Sequence, residues 1–304
     1  MAGEKIGFIG LGAMGVGMSK NLLDAGYAVC GFDVNTESMD ALVDAGGTAG
    51  TSPAIVAAST SLLIVCVFSA DQAEEVLFGI DGAAETLPKG GTVVMCTTMA
   101  PEHSRDIAAR LEKNGHQFID APITGGKRGA DQGSLTVIAS GSEEAMAAAD
   151  GAFKAMGGRV YHVGNAPGAG STVKMINQLL VGVHVVAAAE AMALATKAGA
   201  DPQTVYDVIT HGGGNSVVFE SRVPYMLTED YAPRGVVDIF IKDLGIVADA
   251  ARSLPFPLPL ATAALQQFLS ASASGYGRSD DASVVKVYEQ IAVTNVAAAA
   301  KLKH

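Results

Sequence analysis

The chain has 304 residues, of which 49% are hydrophobic and 17% charged, and its formal net charge at pH 7 is −11. A single hydrophobic core stops growing near ~250–300 residues, so two domains are expected. The charge argues against nucleic-acid binding, because no basic stripe is present to neutralise phosphates. It leaves a small anionic ligand open, since a few cations within one cleft decide that locally.

The N-terminus leads into an apolar run without a basic leader, and no uninterrupted apolar run reaches the ~18–20 residues of a membrane-spanning helix. Cys30, Cys66 and Cys96 each lie inside a strand-like run. This placement is typical of core thiols in a reducing compartment, with a reactive thiol as the alternative. We therefore expect a cytoplasmic protein with no membrane segment, no disulfide and no metal site.

Short apolar runs alternate with helical segments from residue 6 to residue 164. Helices are predicted over 14–25, 101–114 and 143–156. The runs between them are apolar throughout instead of alternating with polar residues, which indicates parallel strands buried on both faces. The pattern predicts an α/β Rossmann domain with a doubly wound, mostly parallel sheet.

The pattern of short apolar runs ends at "VGNAPGAG". The stretch 166–194 is almost unbroken helix-forming sequence, and the helical segments that follow are separated by Gly and Pro, without a convincing strand. We predict a Rossmann domain over 1–165, an all-helical domain over 166–304, and a long helix that joins them.

The first apolar run ends in "GFIGLGAMGVG", which places Gly10, Gly12 and Gly15 in G-x-G-x-x-G spacing. Gly10 permits a tight turn, Gly12 lets the backbone approach a pyrophosphate, and Gly15 allows close helix–strand contact. Asp33 ends the second run and can accept hydrogen bonds from the adenosine ribose. The loop predicts NAD rather than NADP, because no arginine follows in "DVNTES"; a purely structural glycine turn is the alternative. The predicted loop contacts are Gly10, Leu11, Gly12, Ala13, Met14 and Gly15.

Four stretches occur in a characteristic order: "GFIGLGAMGVGM", "DAPITGG", "GAGSTVKMINQ" and "DIFIKDLGIV". In this order the chain resembles the β-hydroxyacid dehydrogenases, the family of 3-hydroxyisobutyrate dehydrogenase and tartronate semialdehyde reductase. The resemblance implies a helical domain that builds a homodimer or homotetramer. It also implies hydride transfer between NAD and a small anionic hydroxy acid. The alternative reactions are the oxidation of 3-hydroxyisobutyrate and the reduction of tartronate semialdehyde or succinic semialdehyde.

Lys174 is a cation inside an otherwise mostly apolar helix. Oxidation of a secondary alcohol must release the hydroxyl proton, and the sequence offers no cysteine cluster or paired histidines to hold a zinc ion for that task. Lys174 is therefore predicted to be the general acid/base. The alternative is a lysine that reaches solvent from a structural helix.

Substrate contacts are predicted in two further stretches, one in "DAPITGG" and one on the helix that carries Lys174. Thr124, Gly125 and Gly126 would form an anion nest for a carboxylate, with a plain turn as the alternative. Asn177 and Gln178, three and four residues after Lys174, share its helical face. Gln178 stands where much of the family has Asn, which favours a polyhydroxylated acid over a methyl-branched one. Thr124 replaces the usual Ser and keeps the hydroxyl.

The resemblance implies two further contacts. Thr98 occupies the position that contacts the nicotinamide ribose, and Lys242 resembles the lysine that reaches cofactor and substrate; an ion pair with Asp243 is its alternative. Two other functions are a non-catalytic NAD-binding module and an imine reductase. Both are disfavoured, because the family members with those functions generally lack the lysine.

Overall fold

The computed structural model describes residues 4–301 and divides the chain into two compact units, residues 1–175 and 176–304. The division lies inside the long helix Ala169–Lys197, C-terminal to the domain boundary predicted at 165/166. That functional boundary stays a prediction.

The first unit contains one sheet of nine strands. These are β1 Lys5–Ile9, β2 Ala28–Phe32, β3 Thr48–Ala49, β4 Leu62–Val65, β5 Thr92–Met95, β6 Gln117–Asp120, β7 Ile123–Thr124, β8 Leu135–Ser140 and β9 Gly157–Gly164. They follow the order β3-β2-β1-β4-β5-β6-β8-β7, with β9 paired to β8. The contacts from β3 to β6 are all parallel. The order reverses between β1 and β4, and open α/β sheets bind ligands beyond the carboxyl ends of the strands at such a point.

Both faces of the sheet are buried. In β4, Leu62 and Ile64 enter one core cluster, and Leu63 and Val65 enter another. Because successive side chains of a strand point to opposite faces, a strand covered on both sides must be apolar at every position. The prediction of a mostly parallel, doubly covered sheet is confirmed.

The far edge of the sheet differs from the simple parallel pattern. The strand β8 runs antiparallel to both β6 and β7, and the two-residue strands β3 and β7 had not been expected. Such short strands lack a hydrophobic period of their own and exist only through pairing with a neighbour.

Helices cover the sheet and make up the second unit. Their ends follow local signals: the Ser142 Oγ accepts a hydrogen bond from the Ala145 N at 3.1 Å, and the helix begins where predicted, at Glu143. The helices are α1 Gly15–Asp24, α2 Thr36–Asp44, α3 Pro53–Ala57, α4 Ala70–Phe78, α5 Pro101–Lys113, α6 Gly126–Asp131, α7 Glu143–Met156, α8 Ala169–Lys197, α9 Pro202–Thr210, α10 Val217–Thr228, α11 Val237–Ser253, α12 Pro259–Ala271, α13 Val285–Ala292 and α14 Val296–Lys301.

The second unit has a core of its own. Phe240 of α11 stacks on Phe268 of α12 with ring centroids 4.9 Å apart, and Tyr206 of α9 stacks on Phe219 of α10. The described part of this unit, residues 176–301, contains helices and one isolated bridge between Val236 and Asp280, without a longer strand. The helical prediction for this half is confirmed.

One helix of the described chain, α8, is long and apolar enough to cross a membrane by length and composition, with a mean hydropathy of 1.8. No such segment was expected, because polar residues such as His184 and Glu190 interrupt the apolar runs of this helix, whereas an average over 18 residues includes such interruptions. Helices inside globular cores pass the same test, so the finding is weak evidence of a span.

Candidate active site

The glycine loop follows β1 and meets the end of β4. Gly10 adopts a φ of +94°, and a methyl group on it would lie 2.3 Å from the Cys66 carbonyl oxygen. A methyl group on Gly15 would lie 2.0 Å from the Gly10 oxygen, whereas one on Gly12 would meet no heavy atom within 4 Å. Two of the glycines are therefore required by the fold itself. Gly12 instead leaves open space in which a ligand can approach the backbone.

Asp33 lies directly beyond β2 and contacts this loop. Its Oδ2 accepts a hydrogen bond from the Leu11 N at 2.6 Å, and its Oδ1 accepts one from the Asn35 N at 2.8 Å. Leu11 is buried, Ala13 exposed and Met14 half-buried. A carboxylate held beside an open glycine cradle fits a dinucleotide whose ribose hydroxyls donate to it. The residues present therefore fit NAD.

Thr98 and the predicted anion nest lie beyond other strands of the same sheet. Thr98 follows β5 and is half-buried. Thr124 ends β7 opposite Thr136 of β8, and the next two residues, Gly125 and Gly126, have φ values of +129° and +64°. Consecutive positive φ angles are readily adopted only by glycine, so the chain maintains an unusual backbone immediately after the Thr124 hydroxyl. The following Lys127 forms an exposed ion pair with Asp131.

Lys174 lies in the second turn of α8, within the first unit, and is only 6% exposed. A buried ammonium is rare among structural lysines, so this burial disfavours the snorkelling alternative. The start of the same helix is bound by Asp120, the first residue of "DAPITGG". Burial raises the pKa of the Asp120 carboxyl, and hydrogen bonds from Ser171 and Gly168 oppose that shift.

The remaining predicted residues form one network within the second unit. The Asn177 Nδ2 donates to the Gln178 Oε1 at 3.0 Å, and the Gln178 Nε2 donates to the Asp243 Oδ2. The Lys242 Nζ donates to the Asp243 Oδ1 at 2.7 Å. The ion pair considered as the alternative for Lys242 is therefore present, but its carboxylate is 2% exposed instead of lying at the surface.

Sequence reasoning missed Asp243 as well as Asp120. Asp243 orients Gln178 from 65 positions away, and Asp120 reaches Ser171 across 51 positions. The sequence did offer one indication of both residues, because Asp120 lies in "DAPITGG" and Asp243 lies in "DIFIKDLGIV", two of the four stretches that carry the family resemblance.

Other reactive residues have structural explanations. His211 follows the last residue of α9, and its Nδ1 lies 2.7 Å from the Asp207 carbonyl oxygen, so it contacts the end of a helix. The three cysteines are free, and burial raises the pKa of the Cys66 thiol to about 12. Among residues 4–301, no group of three or more His, Cys, Asp or Glu side chains could hold a metal ion.

Two family profiles match consecutive parts of this chain. The NAD binding domain of 6-phosphogluconate dehydrogenase matches residues 5–164, and the NAD-binding domain of NADP-dependent 3-hydroxyisobutyrate dehydrogenase matches residues 168–288. The chain belongs to the 3-hydroxyisobutyrate dehydrogenase family. It is an NAD-dependent hydroxyacid dehydrogenase that acts on a small acid.

Similar members of this family span its full length. The L-threonate dehydrogenase of Cupriavidus necator is 46% identical over 95% of this chain and 97% of its own. The L-threonate dehydrogenase of Escherichia coli O6:H1 is 44% identical over 94% and 95%. The crystal structure of 3-hydroxyisobutyrate dehydrogenase from Salmonella typhimurium has a TM-score of 0.89 at 44% identity, covering 93% of this chain and 99% of that one. Relatives of equal similarity thus carry two substrate names.

Proposed function

We propose that the protein oxidises L-threonate at C2 to 2-oxo-tetronate, with Lys174 as the general acid/base. The observation that carries the chemistry is the burial of Lys174 near the start of α8, in the same unit as the turn of Thr124, Gly125 and Gly126 that is proposed to bind the carboxylate. The substrate rests on the relatives named L-threonate dehydrogenase and on Gln178, which fits a polyhydroxylated acid.

Each residue has a defined task in this proposal. The glycine loop and Asp33 would hold NAD⁺, which would supply the acceptor for the hydride from C2. The Lys174 amine takes the hydroxyl proton as the C–H bond breaks and returns it in the reverse direction. The nest binds the substrate carboxylate through the Thr124 hydroxyl and backbone N–H groups. Asn177, Gln178 and Lys242 contact the substrate hydroxyls or the cofactor, and Asp243 orients two of the three.

The deciding experiment compares Lys174→Ala with wild type on L-threonate. General acid–base groups contribute roughly 10²–10⁴-fold to rate, so kcat should fall by that factor while the Kd for NADH stays within twofold. Lys154→Ala, which removes an exposed lysine paired with Asp150, is the matched control and should retain wild-type kcat. A Lys174→Ala enzyme with most of its kcat would contradict the mechanism. Wild-type preference for 3-hydroxyisobutyrate would contradict the substrate.

We propose two further properties. The three cysteines, which are free in the structure, support a reducing, cytoplasmic location. Four exposed apolar residues on α8 support a homodimer or homotetramer, since they follow one another at intervals of three, four and fourteen residues, which places them along one side of the helix. These are Val173, Ile176, Leu180 and Leu194.

A further inference from the structure

The helix that carries Lys174 begins without a capping side chain of its own. It starts at Ala169, and the residue before it is Gly168, which has no side-chain oxygen. The first N–H groups of any helix lack partners within the helix and need acceptors from elsewhere. At α8, these acceptors come from the sheet.

Asp120 accepts two backbone N–H groups and one hydroxyl group at the start of α8. Its Oδ2 accepts hydrogen bonds from the Gly168 N at 3.0 Å and from the Ser171 N at 2.8 Å, and its Oδ1 accepts one from the Ser171 Oγ at 2.7 Å. The carboxylate is fully buried, and both of its oxygens are bound by the helix start. Charge-assisted bonds of this kind are short and strong, and a negative charge is favoured at a helix N-terminus.

Ser140 completes the attachment. Its Oγ accepts a hydrogen bond from the Gly170 N at 3.0 Å, and it lies directly opposite Asp120 in the β6–β8 pair. A methyl group on Gly170 would lie 2.6 Å from the carbonyl oxygens of Asp120 and Ile138. The helix start therefore rests on the backbone of two strands, with two buried side chains binding its N–H groups. We call Asp120, Ser140 and Ser171 the helix clamp.

We propose that Asp120 is a positioning residue that fixes Lys174 relative to the anion nest; this rests on the proposed role of Lys174. Lys174 follows Ser171 by three residues, a rise of ~4.5 Å along the helix. Thr124 follows Asp120 by four residues and pairs with β8, the strand that contains Ser140. The helix clamp thus joins the proton-transfer group and the carboxylate site through a few rigid bonds.

The consequence is a dependence of the chemical step on the clamp. A misplacement of about 1 Å can cost on the order of 10²-fold in rate, because reacting groups must be held in a near-attack geometry. Asp120 itself makes its three bonds to protein donors, so its effect on catalysis passes through α8 and not through the substrate.

Two conservative variants test this proposal without removing the carboxyl-sized side chain or the helix backbone. Asp120→Asn keeps an oxygen for the two N–H groups but loses the charge, and Ser171→Ala removes only the Oγ bond. Ser142→Ala is the matched control, because it removes the cap of α7, a helix without a proposed site residue. Lys174→Ala is measured in the same series. The readouts are kcat on L-threonate per NADH-binding site, the Kd for NADH, Tm, and the primary deuterium isotope effect with substrate deuterated at C2.

We expect Asp120→Asn and Ser171→Ala to lower kcat by at least tenfold, to leave the Kd for NADH within twofold, and to increase the isotope effect. Ser142→Ala should lower Tm and leave kcat within twofold. If Lys174→Ala is inactive but both clamp variants keep wild-type kcat and isotope effect, the clamp proposal is wrong and the proposed function stands. If Lys174→Ala keeps its kcat, both are wrong.

Discussion

Asp281 is a buried acid whose ionisation affects stability. It is fully buried, and Arg222 donates to it through Nε at 2.6 Å and Nη2 at 3.1 Å. Burial outweighs the attraction of Arg222 and raises the pKa of Asp281 to about 6, from 3.8 in an unperturbed aspartate. Between those two pH values, the folded state holds a proton that the unfolded state has released. The stability contributed by this group therefore falls as pH rises through that window and is constant above it.

The prediction is a pH-dependent difference in Tm between wild type and Asp281→Asn, which cannot ionise. Wild-type Tm minus variant Tm should decrease as pH rises from about 4 to about 6 and then stay level. Thermal unfolding followed by circular dichroism between pH 4 and pH 8 measures it. A difference that is constant or increases with pH would show that burial does not raise the pKa of Asp281.

Gln178 gives a prediction about substrate choice. Its amide bridges Asn177 and Asp243, and Gln178→Asn shortens the side chain by one methylene, so both contacts cannot persist. A site built to bind a hydroxyl discriminates against analogues without it by up to ~10⁴–10⁵. The ratio of kcat/KM for L-threonate over 3-hydroxyisobutyrate should fall at least tenfold. Gln203→Asn, at an exposed amide paired with Asp207, should leave the ratio unchanged; an equal ratio in both variants would refute the role of Gln178.

At the scale of elements, α1, which follows the glycine loop, is in direct contact with α6, which follows the predicted anion nest. A methyl group on Gly17 of α1 would lie 2.8 Å from the backbone carbon of Ala130 in α6, and the Asn21 Nδ2 donates to the Ala130 oxygen at 2.6 Å. The helix α6 begins at Gly126 of the nest. The spacing between α1 and α6 therefore affects the position of the segment that we propose binds the substrate carboxylate.

Gly17→Ala should destabilise the protein by about 1–3 kcal/mol, because a close-packed contact has to open. It should also raise KM for the hydroxy acid. Gly245→Ala in α11 is the control, because its added methyl group meets no heavy atom within 4 Å. There the higher helix propensity of Ala should add up to ~1 kcal/mol. Urea unfolding measures the change in the free energy of unfolding of both variants, which should be a decrease for Gly17→Ala and an increase for Gly245→Ala. An increase for Gly17→Ala would contradict the tight contact.

For the whole molecule, the exposed side of α8 is the feature to explain. Leu180 lies in the middle of the apolar series on this helix and is about half exposed. Light scattering should give the mass of a dimer or tetramer for wild type and a smaller species for Leu180→Glu. Ile80→Glu, at an isolated and more exposed apolar residue of the first unit, should keep the wild-type mass. A monomeric wild type would contradict the interface.

The sequence by itself determined the features that depend on local geometry. Gly10 must adopt a positive φ and Gly15 cannot carry a methyl group, so the loop could be predicted from the spacing of its glycines alone. Uninterrupted apolar runs such as 62–65 required a sheet buried on both faces. The start of α7 was readable because Ser142 is a capping residue directly followed by Glu143.

Tertiary structure decided everything that depends on partners distant in the chain. The antiparallel edge of the sheet exists because β8 pairs with β6 and β7, and neither two-residue strand has a hydrophobic period of its own. The start of α8 is capped by Asp120, 51 positions before Ser171, and the Gln178 amide is oriented by Asp243, 65 positions away. A buried carboxylate must find donors wherever the fold brings them. Which donors these are is set by strand register and helix packing, and neither is encoded in the residues adjacent to Asp120 or Gln178.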